Sequence, residues 1–455
     1  MQGVPTRPRR GTLHPMNLIG RPDRSLVKWL YPGMHIKRWL ALLLLGVAVM
    51  GLGIAYLLRE VYVTYTFPGL FYYLTLQFFP RWARGALFMS ASLSMIVLAV
   101  WHLNRSLLSA VMLPGRTERM VDLVYNARFR SRGPRIVAIG GGTGLSTLLA
   151  GLKEHTVNVT AIVTVGDDGG SSGRLREDMG MLPPGDVRNC IAALAEAEPL
   201  MRSLFQYRFE TGNGLQGHSF GNLFIAALTD IMGGNFEEAV RATSRVLAVR
   251  GQILPMTTED VTLGARFTDG ATVWGESDIS HQGKRIEQLF LKPEHAHAYP
   301  EAVDAIRQAD MIVIGPGSLY TSVLPNLLVR DIRDAIRVSR AVKVYVSNVA
   351  TQHGETDHFS VSDHIEAIER HVGRGLIDYV LANNNVADAL PEEWMSRPVP
   401  LDTEKLPDVV VVQDDVVRED KRYHHDPAKL AAAIIRLYYD RESAARPTRA
   451  ASSGP

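Results

Sequence analysis

Two apolar stretches without a charged residue stand near the start of the chain: Trp39 to Leu58, 20 residues long, and Gly85 to Leu103. At about 1.5 Å of rise per helical residue each can cross a hydrocarbon core, so the pattern predicts two transmembrane helices. Two buried helices of a soluble domain are the competing reading. Between them Tyr62, Tyr65, Phe67, Phe78, Phe79 and Trp82 crowd a short connector, as interfacial aromatic belts do. From residue 134 the pattern changes. Short β-branched runs (Ile136 to Ile139, Val157 to Val165, Met311 to Ile314, Val342 to Val346) each stop in glycine or small polar residues, and helical periodicity follows. Fully apolar strands that alternate with helices predict an α/β domain. The expected fold is Rossmann-like, three layers around a mainly parallel sheet. Asp269-Gly270 between Val261–Phe267 and Ala271–Gly275 adds a small antiparallel hairpin insertion. Leu430, Ile434, Ile435 and Leu437 predict a closing helix after Pro427.

Charge orients the apolar hairpin. The leader carries Arg7, Arg9, Arg10, Arg21, Arg24, Lys28, Lys37 and Arg38, and Arg105 to Arg135 is again rich in arginine, whereas the connector has only Arg59, Arg81 and Arg84. Positive charge stays inside, which places both ends and the α/β domain in the cytoplasm of a multi-pass membrane protein. These arginines flank apolar spans and form no separate patch, so they point to lipid head groups and not to nucleic acid. The expected organisation is a basic cytoplasmic leader (1–38), a transmembrane hairpin (39–103), a basic juxtamembrane linker (104–133), the α/β domain (134–440) and a disordered tail (441–455). Cys190 is the only cysteine, which excludes a disulfide framework, and it reads as a buried residue. His295 and His297 read as loop residues and not as a metal site.

Candidate chemistry sits where strands end. Gly140, Gly141, Gly142 and Gly144 surround Thr143 ahead of an expected helix over Leu145–Leu152. Glycines let bare amides approach an anion, and a helix N-terminus favours phosphate. Thr143, Ser146 and Thr147 would add hydroxyl donors. The loop fails G-x-G-x-x-G because position 145 is Leu, and no Gly-Lys-Ser/Thr follows, so neither an ordinary dinucleotide fingerprint nor a P-loop is supported. Asp167-Asp168 ends the second strand where a ribose-binding acid is expected. The pair reads as a ribose ligand, a Mg²⁺ ligand or a turn cap, and Gly169 to Gly173 as a nest of amides. Arg174 and Arg176 read equally as phosphate ligands or solvated charges. Gly185-Asp-Val-Arg-Asn189, Gly217-His-Ser-Phe-Gly-Asn222, Gly315-Pro-Gly-Ser-Leu-Tyr-Thr-Ser322 and Thr351-Gln-His-Gly-Glu-Thr356 repeat the strand-end or helix-start punctuation, with Asn348 just after the strand at Val342–Val346.

In this order those motifs resemble the CofD/YvcK family over roughly residues 134 to 440. The family holds CofD transferases, which move a phospholactyl group from a guanylylated donor to the deazaflavin Fo, and YvcK gluconeogenesis factors. The latter bind UDP-N-acetylglucosamine and regulate cell shape, wall synthesis and carbon metabolism with no firmly attached reaction. Gly-Pro-Gly-Ser-Leu-Tyr-Thr-Ser and Thr-Gln-His-Gly-Glu-Thr-Asp are closer to the YvcK group. The resemblance implies a nucleotide-sugar site made by Gly141, Gly142, Thr143, Gly144, Asp167, Asp168, Gly169, Ser171, Ser172, Arg174, Asn189, His218, Asn222, Gly317, Ser318, Tyr320, Thr321 and Asn348. Mg²⁺ at Asp167 or Asp168 would accompany a nucleotide-type ligand, and Asp167 and Asp168 would be catalytic in a transferase. Cell-wall synthesis proteins are the implied partners, and a homo-oligomer is left open. One departure is Tyr423-His424-His425-Asp426: the YvcK pattern has a basic residue at position 424, so no ligand contact carries over there. A ligand-independent membrane scaffold is the remaining alternative.

Overall fold

The structure is a computed structural model and describes residues 45–51, 53–55, 57–59, 61, 69–74, 76, 78–111, 130–197, 199–386 and 395–445. The chain forms two compact units, residues 1–128 and 129–455.

In the first unit a 31-residue helix runs from Arg81 to Val111. Its Arg81–Ala99 portion has a mean hydropathy of 1.4 and is long and apolar enough to cross a membrane. Leu87, Phe88, Leu93, Met95 and Leu98 lie exposed along it. Ser90 and Ser94 donate their hydroxyls to the carbonyls of Ala86 and Ser90, at 2.8 and 2.9 Å, so these polar side chains find partners within the helix. The helix runs on past the expected boundary at 103. Of the other expected span, the described residues from Leu45 to Arg59 are helical and shorter, while 39–44 lie outside the described residues. The leader also lies outside them.

The second unit is built on a parallel sheet of β1 (Ile136–Gly140), β2 (Val159–Val163), β3 (Gln252–Pro255), β7 (Met311–Ile314), β8 (Val342–Val346), β9 (Tyr379–Asn383) and β10 (Val410–Asp414), in the order β10-β9-β8-β7-β1-β2-β3. Every residue of β1 and β7 is buried, as strands covered on both faces require. Between β3 and β7 a separate antiparallel sheet is inserted, made of β4 (Thr262–Phe267), β5 (Thr272–Trp274) and β6 (Ile286–Lys292) in the order β5-β4-β6. The hairpin at Asp269-Gly270 is thus two strands of three. β6 escaped the sequence reading because Ile286, Leu289 and Leu291 are buried at uneven spacing and its register shifts at Arg266/Phe267.

The helices that matter for the site are α1 (Gly142–Leu152), α2 (Gly170–Met179), α3 (Gly185–Leu194), α4 (Phe220–Ile231), α5 (Glu276–His281), α6 (Arg330–Val338), α7 (Val361–Val372) and α8 (Pro427–Ala445). α1 buries Leu145, Leu148, Leu149 and Leu152 in the core. Its Gly151 lies so close to the Pro427 carbonyl of α8 that a Cβ has no room. α8 closes the domain through buried Leu430, Ala431 and Ile434, and it continues to Ala445, beyond the expected end at 440. The segment from Arg130 to Gly133 also belongs to this unit, since Asn158 Nδ2 donates to the Gly133 carbonyl at 2.8 Å and Arg130 pairs with Glu154 at 2.6 Å.

Candidate functional site

From β1 the chain moves outward to β2 and β3 on one side, and to β7, β8 and β9 on the other. The order reverses between β1 and β7, and in open α/β sheets ligands bind in the crevice outside the carboxyl ends of strands at such a point. The two glycine loops flank it: Gly140 ends β1, and Gly315 follows β7. Gly142 and Gly315 have φ of +63° and +80°, which an L side chain rarely adopts. A Cβ on Gly144 would stand 2.5 Å from the Pro316 carbonyl oxygen, so the two loops touch backbone to backbone.

A cleft of about 610 Å³ opens over these loops. Of the residues implied by the motifs, Gly141, Gly142, Thr143, Gly144, Gly317, Ser318, Thr321 and Asn348 line it. The N-cap of α1, Gly141, makes no side-chain cap. By position the amides of Thr143 and Gly144 have no intrahelical acceptor, so they are available to an anion. Gly142 is different, because its amide donates to the Asp186 carboxylate. Nor are all the expected hydroxyls free: Ser146 and Thr147 donate to the Thr143 carbonyl at 2.9 and 2.8 Å.

Glu355 ties the second glycine loop in place. It is buried, accepts from Ser318 Oγ and from Gln352 Nε2 at 3.0 Å, and lies 3.4 Å from both Thr321 Oγ1 and Ser280 Oγ. Burial raises its carboxyl pKa and these hydrogen bonds oppose the rise. One carboxylate therefore joins the loop after β7, the Thr351–Thr356 segment and α5. Tyr320, expected to meet the ligand, instead points into the core: it is fully buried, edge-on to Phe359 and His371 at centroid distances of 6.3 and 6.1 Å. Burial pushes its hydroxyl pKa up to about 12.

Asp167, Asp168 and Gly169 do not line the cleft; Asp167 and Ser172 of a neighbouring polar network both stand against Gly185. Asp167 Oδ1 accepts from the Gly169 amide at 3.0 Å, and Asp168 Oδ1 from the Ser277 amide at 2.9 Å, at the start of α5. Turn capping thus accounts for one oxygen of Asp167, whereas Asp168 holds the start of a helix 109 residues further on. Asp186 is pushed up to about 6 by burial and by Asp167. Burial and the same neighbours drive Glu276, which lines the cleft, well above the usual carboxylate range. Among the described residues no three His, Cys, Asp or Glu side chains converge to hold a metal. A Mg²⁺ ion here would rely on one or two of these carboxylates together with ligand phosphates and water.

The polar network lies at the start of α2. Gly169 to Gly173, expected as a nest, form the N-cap and first turn of that helix. Ser171 Oγ lies 3.0 Å from His218 Nδ1 and accepts from Asn222 Nδ2 at 3.0 Å, while Ser172 lies 3.5 Å from the same amide. Burial, followed by Arg174, lowers the His218 pKa. All four side chains are buried and spent largely on one another. Asn189 accepts from Arg188 at 2.9 Å on α3, and Arg174 donates to the Gln216 carbonyl at 2.9 Å, so neither lines the cleft. Arg176 pairs with Asp260.

Asp186, Glu276 and Glu355 were absent from the residues implied as ligands. Asp186 and Glu355 stand inside quoted motifs, whereas nothing local marks Glu276. The far wall of the cleft is Tyr423, His424 and His425. Position 424 therefore borders the site despite its departure from the YvcK pattern. Beside it His425 is buried: its Nε2 lies 3.2 Å from the Ser347 carbonyl, and burial lowers its pKa to about 4.

The model of the 2-phospho-L-lactate transferase CofD family matches residues 136–417. The gluconeogenesis factor of Bacillus subtilis is 49% identical over 311 residues, covering 67% of this chain and 98% of that protein. A relative from Nostoc sp., which carries the same designation provisionally, is 47% identical over 424 residues, covering 90% of this chain and 92% of its own. A crystal structure from Bacillus halodurans matches with a TM-score of 0.63 and 47% identity, over 67% of this chain and 99% of that one. The motifs from Gly140 to Thr356 fall within the matched segment, and the chain belongs to the CofD/YvcK family.

Proposed function

We propose that this chain is a YvcK-like gluconeogenesis factor that binds a nucleotide sugar, UDP-N-acetylglucosamine, in the cleft between β1 and β7. Binding would regulate cell-wall synthesis and carbon metabolism. The observation that carries the reading is the pair of glycine loops meeting at the sheet's reversal point, with the uncapped start of α1 aimed at a cleft of nucleotide-sugar size. The amides of Thr143 and Gly144 take the diphosphate, and Asn348, Thr351 and Gln352 supply polar contacts to base or sugar. The carboxylates Asp167, Asp186 and Glu276 beneath the loop oppose a bare anion, so the diphosphate arrives with Mg²⁺ or with a proton on Asp186. The domain is tethered by residues 39–103 with both termini cytoplasmic; the long apolar helix from Arg81 supports the tether, and the arginine-rich flanks support the orientation.

A transferase reading has one specific support, the name of the family model. There Asp167 or Asp168 with Mg²⁺ would stabilise charge on the transferred phosphoryl group. The test is calorimetry on the full chain in detergent micelles with UDP-N-acetylglucosamine, NAD and ATP, beside an assay with Fo and a guanylylated phospholactate donor. Tightest binding of the nucleotide sugar without turnover supports the proposal. Turnover of Fo establishes the transferase, and preference for NAD removes the nucleotide-sugar reading.

A further inference from the structure

A second concavity, a groove of about 770 Å³, lies between the edge of the small sheet and helices α6 and α7. Arginines from three elements converge on it: Arg266 from β4, Arg330, Arg333 and Arg337 along α6, and Arg370 from α7. Positions 330, 333 and 337 follow one another on a single helix face. Three carboxylates, Glu287, Glu294 and Asp334, share the lining, which leaves five arginines against three acids.

The pairing within the groove leaves cationic groups for a ligand. Asp334 is shared at 3.5 Å by Arg330 and Arg333, and Arg370 holds Glu366 in an exposed pair of one helix. Among the described residues Arg337 donates only to the Val372 carbonyl at 2.6 Å, which fixes its guanidinium without neutralising it. Among the described residues Arg266 has no ion-pair partner, and Glu287 and Glu294 have none either. Two histidines, His295 and His371, line the groove as well. His371 is neutral: its Nε2 accepts from the Leu289 amide at 2.9 Å and its Nδ1 meets the Ala367 carbonyl at 2.7 Å, so the ring has one proton and both nitrogens are used. Its ring also packs against Tyr320, which separates the groove from the cleft.

Guanidinium groups on rigid helices and strands, with their forks spread over several directions, match phosphate oxygens better than a point charge does. We propose that this groove is a second binding site, for a small molecule bearing two or more phosphates, distinct from the cleft between β1 and β7 and independent of what that cleft binds. Arg266 and Arg337 are the principal anchors, with Arg333 and Arg370 at the flanks.

Inorganic tripolyphosphate titrated by calorimetry into the full chain in micelles provides the test. The parent binds, and R266Q/R337Q binds at least about tenfold more weakly, the loss expected when charge-assisted phosphate contacts go. Because Arg337 also holds a carbonyl, R266Q alone and R337K serve as folding-neutral companions: R266Q weakens binding and R337K, which keeps charge and donor, retains most of it. Unchanged affinity in both R266Q and R266Q/R337Q overturns the proposal and places the anion elsewhere. Tighter binding of a glutamate-rich peptide than of tripolyphosphate overturns the ligand class.

Discussion

Asp186 carries the clearest residue-scale consequence. Its folded pKa of about 6 lies above the ordinary carboxylate value of 3.8, so the fold prefers the neutral acid. Its contribution to stability is full below about pH 4 and is lost as pH rises through about 6, by up to about 3 kcal/mol. Asp186→Asn keeps an acceptor for the Gly142 amide and removes the ionisation. Unfolding midpoints measured across pH 4 to 7 should fall in the parent and stay flatter in this variant, which should be the more stable at pH 7. Parallel curves would show that Asp186 does not titrate in that range. Gly144 is the second residue of this kind. Gly144→Ala must push the Pro316 carbonyl aside, a strain of about 1–3 kcal/mol, and should lower both the unfolding midpoint and nucleotide-sugar affinity. The glycines were legible because a backbone approach leaves a composition mark. The buried acids were not, since a carboxylate's burial depends on what other loops bring to it: Glu276 comes from the inserted sheet's helix and meets Asp167 only in the fold.

Among the elements, helix starts were read correctly as polar and placed a few residues late. α3 begins at Gly185 and α4 at Phe220, so Gly185–Asn189 and Gly221–Asn222 lie inside helices whose apolar faces begin only further on. Ser219 caps α4 by accepting from the Asn222 amide at 3.2 Å, beside the network of Ser171 and His218. Ser219→Ala should cost about 1 kcal/mol, seen as a lower midpoint in thermal unfolding, whereas an unchanged midpoint would show that the cap adds nothing. β1, β2, β7 and β8 were plain from their apolar runs. β3, β6, β9 and β10 were not; β6 has no regular alternation, and β10 is an edge strand with exposed Val410. Tyr320 illustrates the same limit: a tyrosine in a motif of small polar residues looks like a ligand contact, and only the packing of Phe359 and His371 turns it inward.

At the scale of the molecule, the chain forms two compact units, residues 1–128 with the apolar helix from Arg81 and residues 129–455 with the glycine-punctuated strands. The membrane proposal predicts that reporter fusions at residues 30 and 125 give cytoplasmic signals and one at residue 70 an external signal; a cytoplasmic signal at 70 would refute the hairpin. The central claim is narrower: the ligand sits where the sheet order reverses between β1 and β7. A concavity of about 550 Å³ at the opposite ends of β1, β2 and β3, lined by Arg135, Asn158, Gln252 and Glu301, is the natural internal control. Hydrogen exchange of the full chain with and without UDP-N-acetylglucosamine decides between them most directly. The account predicts slower exchange in 140–147 and 315–323 on adding the ligand, with 251–252 and 301–308 unchanged. Protection confined to the opposite end, or no protection at either glycine loop at saturating ligand, would contradict it.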